Sequence, residues 1–180
     1  MKYILDKLHH DHINAAKLLD LYEKQLEILK QGGNPDYPVM QDIMKYMKYY
    51  PDVVHHPLEE VIFEKLEIRD KEIANSIARL YKEHSEIDDM GDKLAETLLK
   101  ITTGEITSLE DFQNDSENYL QLMRSHMDLE ESEVFPAIKE FLSDDDWDNI
   151  DLVLAGYNDP LFGDKVEEEY RNLFRSITGS

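Results

Sequence analysis

The chain has 180 residues, 41% hydrophobic and 33% charged, with a formal net charge of −21: long enough for one domain with its own core, and ill suited to phosphate backbones or anionic lipid. It has no cysteine, which removes disulfides, thiolate nucleophiles and iron–sulfur clusters ligated by the chain itself. No run approaches the roughly 20 apolar residues that a membrane span needs, and the opening MKYILDKLHHDH has no apolar signal core, so a cytoplasmic location without nucleic-acid or membrane partners is expected.

The first predicted helix runs from about residue 3 to 30, where Leu5, Leu8, His12, Ala15, Leu19, Tyr22 and Leu26 recur at the three–four spacing of an inward stripe. GGNPDYP, residues 32–38, ends it. A second helix is expected over 39–67, with Ile43, Met47, Tyr50, Val54, Leu58, Ile62 and Leu66 inward. A third follows over 70–102, carrying Ile73, Ile77, Leu80, His84, Ile87, Leu94, Leu98 and Ile101, and Thr103-Gly104 stops it. Ser108 with Asp111 is a capping pair for the fourth, whose stripe is Phe112, Tyr119, Met123, His126, Glu130 and Ala137. A shorter helix starts near Ser143 with Trp147, Ile150 and Val153; GYNDPLFG, residues 156–163, reads as an ordered loop, and a last helix is expected over 164–176. The prediction is an all-α fold: an antiparallel up-down four-helix bundle over residues 1–142, with 143–180 as a short C-terminal helical extension packed on the same domain.

Each long helix carries polar residues on its apolar stripe: His12, His55 with Glu59, His84, and His126 with Glu130. In an antiparallel hairpin, residues equidistant from the turn share a height. The midpoint of 12 and 55 falls between Gly33 and Asn34, and that of 84 and 126 falls at Glu105, beside Gly104. The midpoint between the 55/59 pair and 84 falls between Asp70 and Lys71. All three lie where composition places turns, so the six residues are expected in one layer. Burying carboxylates there without compensation is costly, and a pair of cations supplies the compensation. Imidazole and carboxylate without sulfur suit Fe, Mn or Zn. Pro57, between His55 and Glu59, cannot donate to the carbonyl of Val53, which predicts a kink or bulge. Met44, Met47, Met90, Met123 and Met127 read as gap-filling residues, and Tyr50 and Tyr119 as core residues bordering the site.

The stretches HHDHINAAKLL (9–19), HHPLEEVIF (55–63), KEHSEI (82–87) and SHMDLEESEVFP (125–136) resemble the hemerythrin-like (HHE cation-binding) family; DDDWDNID and NDPLFG resemble its bacterial members. The resemblance implies that His12, His55, Glu59, His84, His126 and Glu130 are metal ligands, with both glutamates bridging two iron ions joined by an oxo or hydroxo group; Mn or Zn are the alternative metals. His9 is an alternative ligand on the first helix. His56 and Glu60, rotated by about 100° from their neighbours, are read as supporting or solvent-facing, and Asp88 as orienting His84 or facing water. Oxygen-carrying members use five histidines where four fit here. Four histidines with two glutamates is similar to di-iron proteins that repair iron–sulfur centres, but those carry a cysteine-containing segment and this sequence has no cysteine. The expected function is a non-haem di-iron protein that binds or senses O2 or NO. The alternatives are a di-iron enzyme acting on peroxide, O2 or NO, and an iron-sensing interaction domain.

Overall fold

The structure, a computed structural model, describes residues 2–151, 159–163 and 165–179. It is all-helical, and among the described residues there is no strand and no helix long and apolar enough to cross a membrane. Helix α1 is Lys2–Lys30, α2 Tyr37–Tyr50, α3 His56–Arg69, α4 Ala74–Thr103, α5 Leu109–Leu129, α6 Phe135–Phe141, α7 Asp144–Asp151 and α8 Arg171–Thr178. Two π-helical turns, Pro51–His55 and Glu130–Val134, join α2 to α3 and α5 to α6, and a 3-10 turn, Glu168–Tyr170, leads into α8.

Local chemistry sets the ends. Gly32 (φ 75°) and Gly104 (φ 78°) adopt the left-handed conformation that closes a helix without a Cβ clash, and Gly33 and Glu105 donate back to the carbonyls of Ile28 and Lys100. Asp36 caps α2 by accepting from the Val39 amide, so that helix starts at Tyr37 rather than 39. Ser108 accepts from the Asp111 amide at 3.1 Å, as expected of the capping pair. The expected 39–67 helix is not continuous, being widened by a π turn at Pro51–His55. The third begins at Ala74 instead of 70, because Asp70 is extended and accepts from the Glu72 amide.

Helix α1 packs against α2 and α5, and α4 against α2 and α5. The apolar stripes divide into two buried clusters. One holds Leu18, Leu26, Met47, Val54, Ile87, Leu98, Met123 and Met127; the other holds Leu5, Leu8, Leu58, Phe63, Leu80, Leu129, Val134 and Ile138. Along each chain segment the break between clusters falls at or beside the polar residues: between Leu8 and Leu18 around His12, between Val54 and Leu58 next to Glu59, between Leu80 and Ile87 around His84, and between Met127 and Leu129, which His126 and Glu130 flank. Hydrocarbon therefore covers the polar layer from both sides.

The tail is anchored at two places. Trp147 and Ile150 are buried in the second cluster, and Ser143 caps α7 by accepting from the Asp146 amide, while the Asp146 carboxylate accepts from the Ser143 amide and twice from Arg69. Asp159 accepts from the Leu161 and Phe162 amides and from the Tyr46 hydroxyl, and Phe162 meets the Tyr46 ring edge-on at 5.8 Å. The last helix is shorter than expected, because the Glu167 amide bonds the Pro160 carbonyl and holds the preceding segment as a loop. Val153, residues 156–158 of the loop and Asp164 lie outside the described residues.

Candidate metal centre

The π turns explain the composition of the site. An α-helical Pro57 would drive its ring against the carbonyl of Val53. The chain instead widens by one residue, so that the His56 amide reaches the Pro51 carbonyl. The second π turn repeats this before Pro136: the Phe135 amide reaches the Glu130 carbonyl. In an α-helix adjacent residues point about 100° apart; the wider turn brings neighbours to the same side. His55 (6% exposed) and His56 (7%) are both buried. Likewise Glu130 and Glu131 both reach His12, at 3.1 Å from Nε2 and 2.8 Å from Nδ1.

All six predicted residues are buried and meet in one layer. His12 Nε2 and His55 Nε2 lie 3.1 Å apart. Glu59 Oε1 stands 3.1 Å from His55 Nε2 and 4.0 Å from His12 Nε2, while its Oε2 stands 3.6 Å from His84 Nε2. Glu130 is arranged the same way: Oε2 lies 3.1 Å from His12 Nε2, and Oε1 lies 3.2 Å from His126 Nε2 and 3.8 Å from His84 Nε2. Each carboxylate thus offers one oxygen to either side. The donor atoms converge in two groups, His12, His55, Glu59 and Glu130 in one, His56, His84 and His126 in the other. His56, read from the sequence as supporting or solvent-facing, is instead buried beside His84, the two rings stacked with centroids 4.0 Å apart.

The contacts of the two carboxylates are short without being hydrogen bonds. Both oxygens of Glu59, both oxygens of Glu130 and both ring nitrogens of His84 are buried with no hydrogen-bond partner. Adjacent donors around an octahedral cation at about 2.1 Å sit about 3 Å apart, which is the spacing of the shortest contacts here. A set of buried orphaned oxygens facing imidazole nitrogens fits a cation on each side of the two glutamates.

Three carboxylates that sequence periodicity did not single out hold the imidazoles from behind. His55 Nδ1 donates to Asp11 (3.2 Å), His12 Nδ1 to Glu131 (2.8 Å) and His126 Nδ1 to Glu83 (3.1 Å). Each bond turns the other nitrogen, Nε2, inward. With Nδ1 protonated on both rings, the 3.1 Å approach of His12 and His55 Nε2 opposes two lone pairs unless a cation or proton lies between them. Asp11 is fixed in turn by Lys7 (2.9 Å), which also bonds the Tyr50 hydroxyl, and Glu83 by Arg79 (2.7 Å). The signals were present: Lys7 and Asp11, and Arg79 and Glu83, are spaced four apart. Tyr50 reaches the site through Asp11, and Tyr119 belongs to the first apolar cluster. His9 is exposed and bonds Glu131 rather than joining the convergent groups. Glu60 and Asp88 are exposed at the outside of the layer.

Burial alone would lower the imidazole pKa values, but the carboxylates outweigh it. Glu130 and Glu131 lift His12 to about 10, Glu59 and Asp11 lift His55 to about 9, and Glu130 and Glu59 lift His84 to about 9. Burial would raise Glu59; the His55 charge overrides it and holds the carboxylate well below its usual range. Glu130, pushed up by burial and by Glu59, is brought below its usual value by His12 and His126. Without a cation, the raised imidazoles stabilise the fold fully below pH 6.5 and lose that contribution as pH passes about 9 to 10. The lowered carboxylates contribute above pH 4.5 and lose it on acidification.

Pro57→Ala restores the amide that an α-helical turn needs. It is expected to raise the stability of the metal-free chain by up to about 3 kcal/mol while rotating His56 outward and lowering the number of cations bound. A variant with unchanged cation content and unchanged stability would mean that the π turn does not depend on Pro57.

A family model described as Hemerythrin HHE cation binding domain matches residues 3–138. No curated protein and no solved structure matches the chain.

Proposed function

The chain belongs to the hemerythrin HHE cation-binding family, and from that premise we propose that it is a non-haem di-iron protein that binds or senses a small diatomic ligand, O2 or NO. The reading takes the four long helical segments as an antiparallel up-down bundle with residues 143–180 as an extension of the same domain, a view supported by the way both apolar clusters draw on every segment. His12 and His55 would hold one ion, and His56, His84 and His126 the other, with Glu59 and Glu130 shared between them. The observation that carries this is the burial of all four carboxylate oxygens without a hydrogen-bond partner, each pair facing imidazoles on two sides.

Five imidazoles and two carboxylates without sulfur suit iron, manganese or zinc. Iron bound there would supply a redox-active centre able to take a diatomic molecule. A six-coordinate ion finds four protein donors in one group and five in the other, so neither is saturated by the chain. The protein's own part is to orient the imidazoles through Asp11, Glu83 and Glu131, and to exclude water with the apolar layers above and below. Phe135, stacked on His12 at 5.3 Å, contributes to that exclusion.

The test is exposure of the reduced, iron-loaded chain to O2 and to NO. Reversible spectral change at one ligand per pair of irons is the expected result. Repeated turnover of peroxide or NO would instead identify an enzyme.

The metal-free chain holds protons where ions would bind. His12, His55 and His84 carry protons at pH 7, and an ion displaces them. Cation uptake at pH 7 should release about three protons, read from the dependence of the binding enthalpy on the buffer's heat of ionisation. Affinity should rise with pH from 6.5 and level off above about 9 to 10. An affinity independent of pH over that range would contradict protonation of these imidazoles in the metal-free chain.

A further inference from the structure

Helices α2 and α4 do not close on each other along their whole length. Gln41 donates to Thr102 at one end, and Lys48 pairs with Asp92 towards the other. Between these bridges α4 supplies the small Ala95, and a pocket of about 710 Å³ opens, lined by Met44, Tyr49, Val53, Ala95, Leu99 and Tyr170. Met44 and Tyr170 are buried and form its floor, while Tyr49, Val53 and Leu99 are 53%, 43% and 55% exposed around it. Exposed apolar side chains are ordinary when scattered, but three on one pocket mark a binding surface. Its volume lies in the range of small-molecule sites, roughly 300 to 1,000 Å³. No residue of the two imidazole groups lines it, so occupancy does not require bound metal.

The charges of the pocket are unequally committed. Lys45 pairs with Glu169 and lies over the Tyr170 ring, 5.7 Å from its centroid, and Lys48 pairs with Asp92. Asp42, which also lines the pocket, is partly buried and has no hydrogen-bond or ion-pair partner among the described residues. Burial raises its carboxyl above the usual value; Lys45 draws it down, and Asp36 and Glu169 push it up.

We propose that this pocket binds a hydrophobic organic cation, an aryl- or alkylammonium whose charged head meets Asp42 and whose apolar body covers Met44, Ala95 and Leu99. Three features select that class. The net charge of −21 draws cations to the chain and repels anions. An anion must break an ion pair to reach Lys45 or Lys48, whereas an ammonium reaches Asp42 without breaking one. The rings of Tyr49 and Tyr170 attract a cation, as the position of Lys45 over Tyr170 already illustrates.

The experiment is isothermal titration calorimetry of the full chain with phenylbutylammonium, phenylbutanol and phenylbutanoate, probes of similar shape and different charge. One cation per chain is expected, bound about tenfold tighter than the alcohol, with the carboxylate weakest. Asp42→Asn should weaken the cation about tenfold and leave the alcohol within about twofold. Asp144→Asn, which removes the same charge at an exposed position on α7, should leave both within about twofold. Ala95→Leu fills the pocket and should abolish binding of both. Leu99→Ala, at an exposed position, should weaken both about fivefold and keeps the test open if the larger side chain at 95 unfolds the protein. Four results would each overturn the proposal: no binding at millimolar probe, equal affinity for cation and alcohol, a carboxylate as tight as the cation, or equal losses in the Asp42 and Asp144 variants. Unchanged binding in a folded Ala95→Leu or in Leu99→Ala would overturn it too, by placing the probe elsewhere.

Discussion

Glu59→Gln and Glu130→Gln, each alone, should reduce the iron bound from two ions per chain to one or fewer, as measured by metal analysis after equilibration. Each side chain faces both imidazole groups, with Glu59 Oε1 at 3.1 Å from His55 and Oε2 at 3.6 Å from His84, and Glu130 Oε2 at 3.1 Å from His12 and Oε1 at 3.2 Å from His126. An amide has the same shape but keeps one oxygen, and its nitrogen carries protons where a lone pair is required. One contact is lost outright and the remaining oxygen has lost its charge, so both ions lose affinity from a single substitution. The effect should exceed the 10- to 100-fold loss expected from removing an outer hydrogen-bond partner, about that of Glu131→Gln, which turns His12 without facing the ions. At saturating iron Glu131→Gln should therefore still bind two. Retention of both ions by Glu59→Gln would mean that the carboxylate is not shared.

Removal of the metal should lower the melting temperature by roughly 10 to 15 °C at neutral pH. A ligand at a thousandfold its dissociation constant stabilises by about 4 kcal/mol, and in a chain of this size 1 kcal/mol moves the midpoint by about 2–4 °C. The metal-free chain should nonetheless remain helical, because the raised imidazoles of His12, His55 and His84 carry protons at pH 7 and face Glu59 and Glu130. That substitution of protons for metal fails in alkali: as pH passes about 9 to 10 the imidazoles become neutral and the buried carboxylates lose their counter-charge. Thermal melts should therefore show the metal-free form losing stability between pH 8 and 10 while the loaded form changes little. Parallel loss in both forms would place the alkaline weakness elsewhere in the fold.

Periodicity carried most of this arrangement. Leu5 to Leu26, Ile43 to Leu66 and Ile77 to Leu98 follow the helical repeat, and the apolar residues of those stripes are buried in the two clusters or, for Ala15, packed against one. The turns could be read from Gly32 and Gly104 because only a left-handed residue closes the helices there. The same regularity hid His56. A repeat of about 3.6 residues turns position 56 away from position 55, and only the extra residue of the Pro51–His55 turn brings both inward. Pro57 pointed to a disturbance without giving its sense, and Pro136, which marks the second widened turn, drew no inference about Glu131. Asp11 and Glu83 escaped for a different reason: they stand beside the stripe, and their burial comes from Lys7 and Arg79 neutralising them.

Anomalous diffraction from crystals of the iron-loaded protein, recorded at the iron edge, addresses the central claim most directly. Two peaks per chain are predicted, one against His12 and His55, the other against His56, His84 and His126, with Glu59 and Glu130 touching both. A single peak, or imidazoles bonded only to the carboxylates with no metal between them, would contradict it.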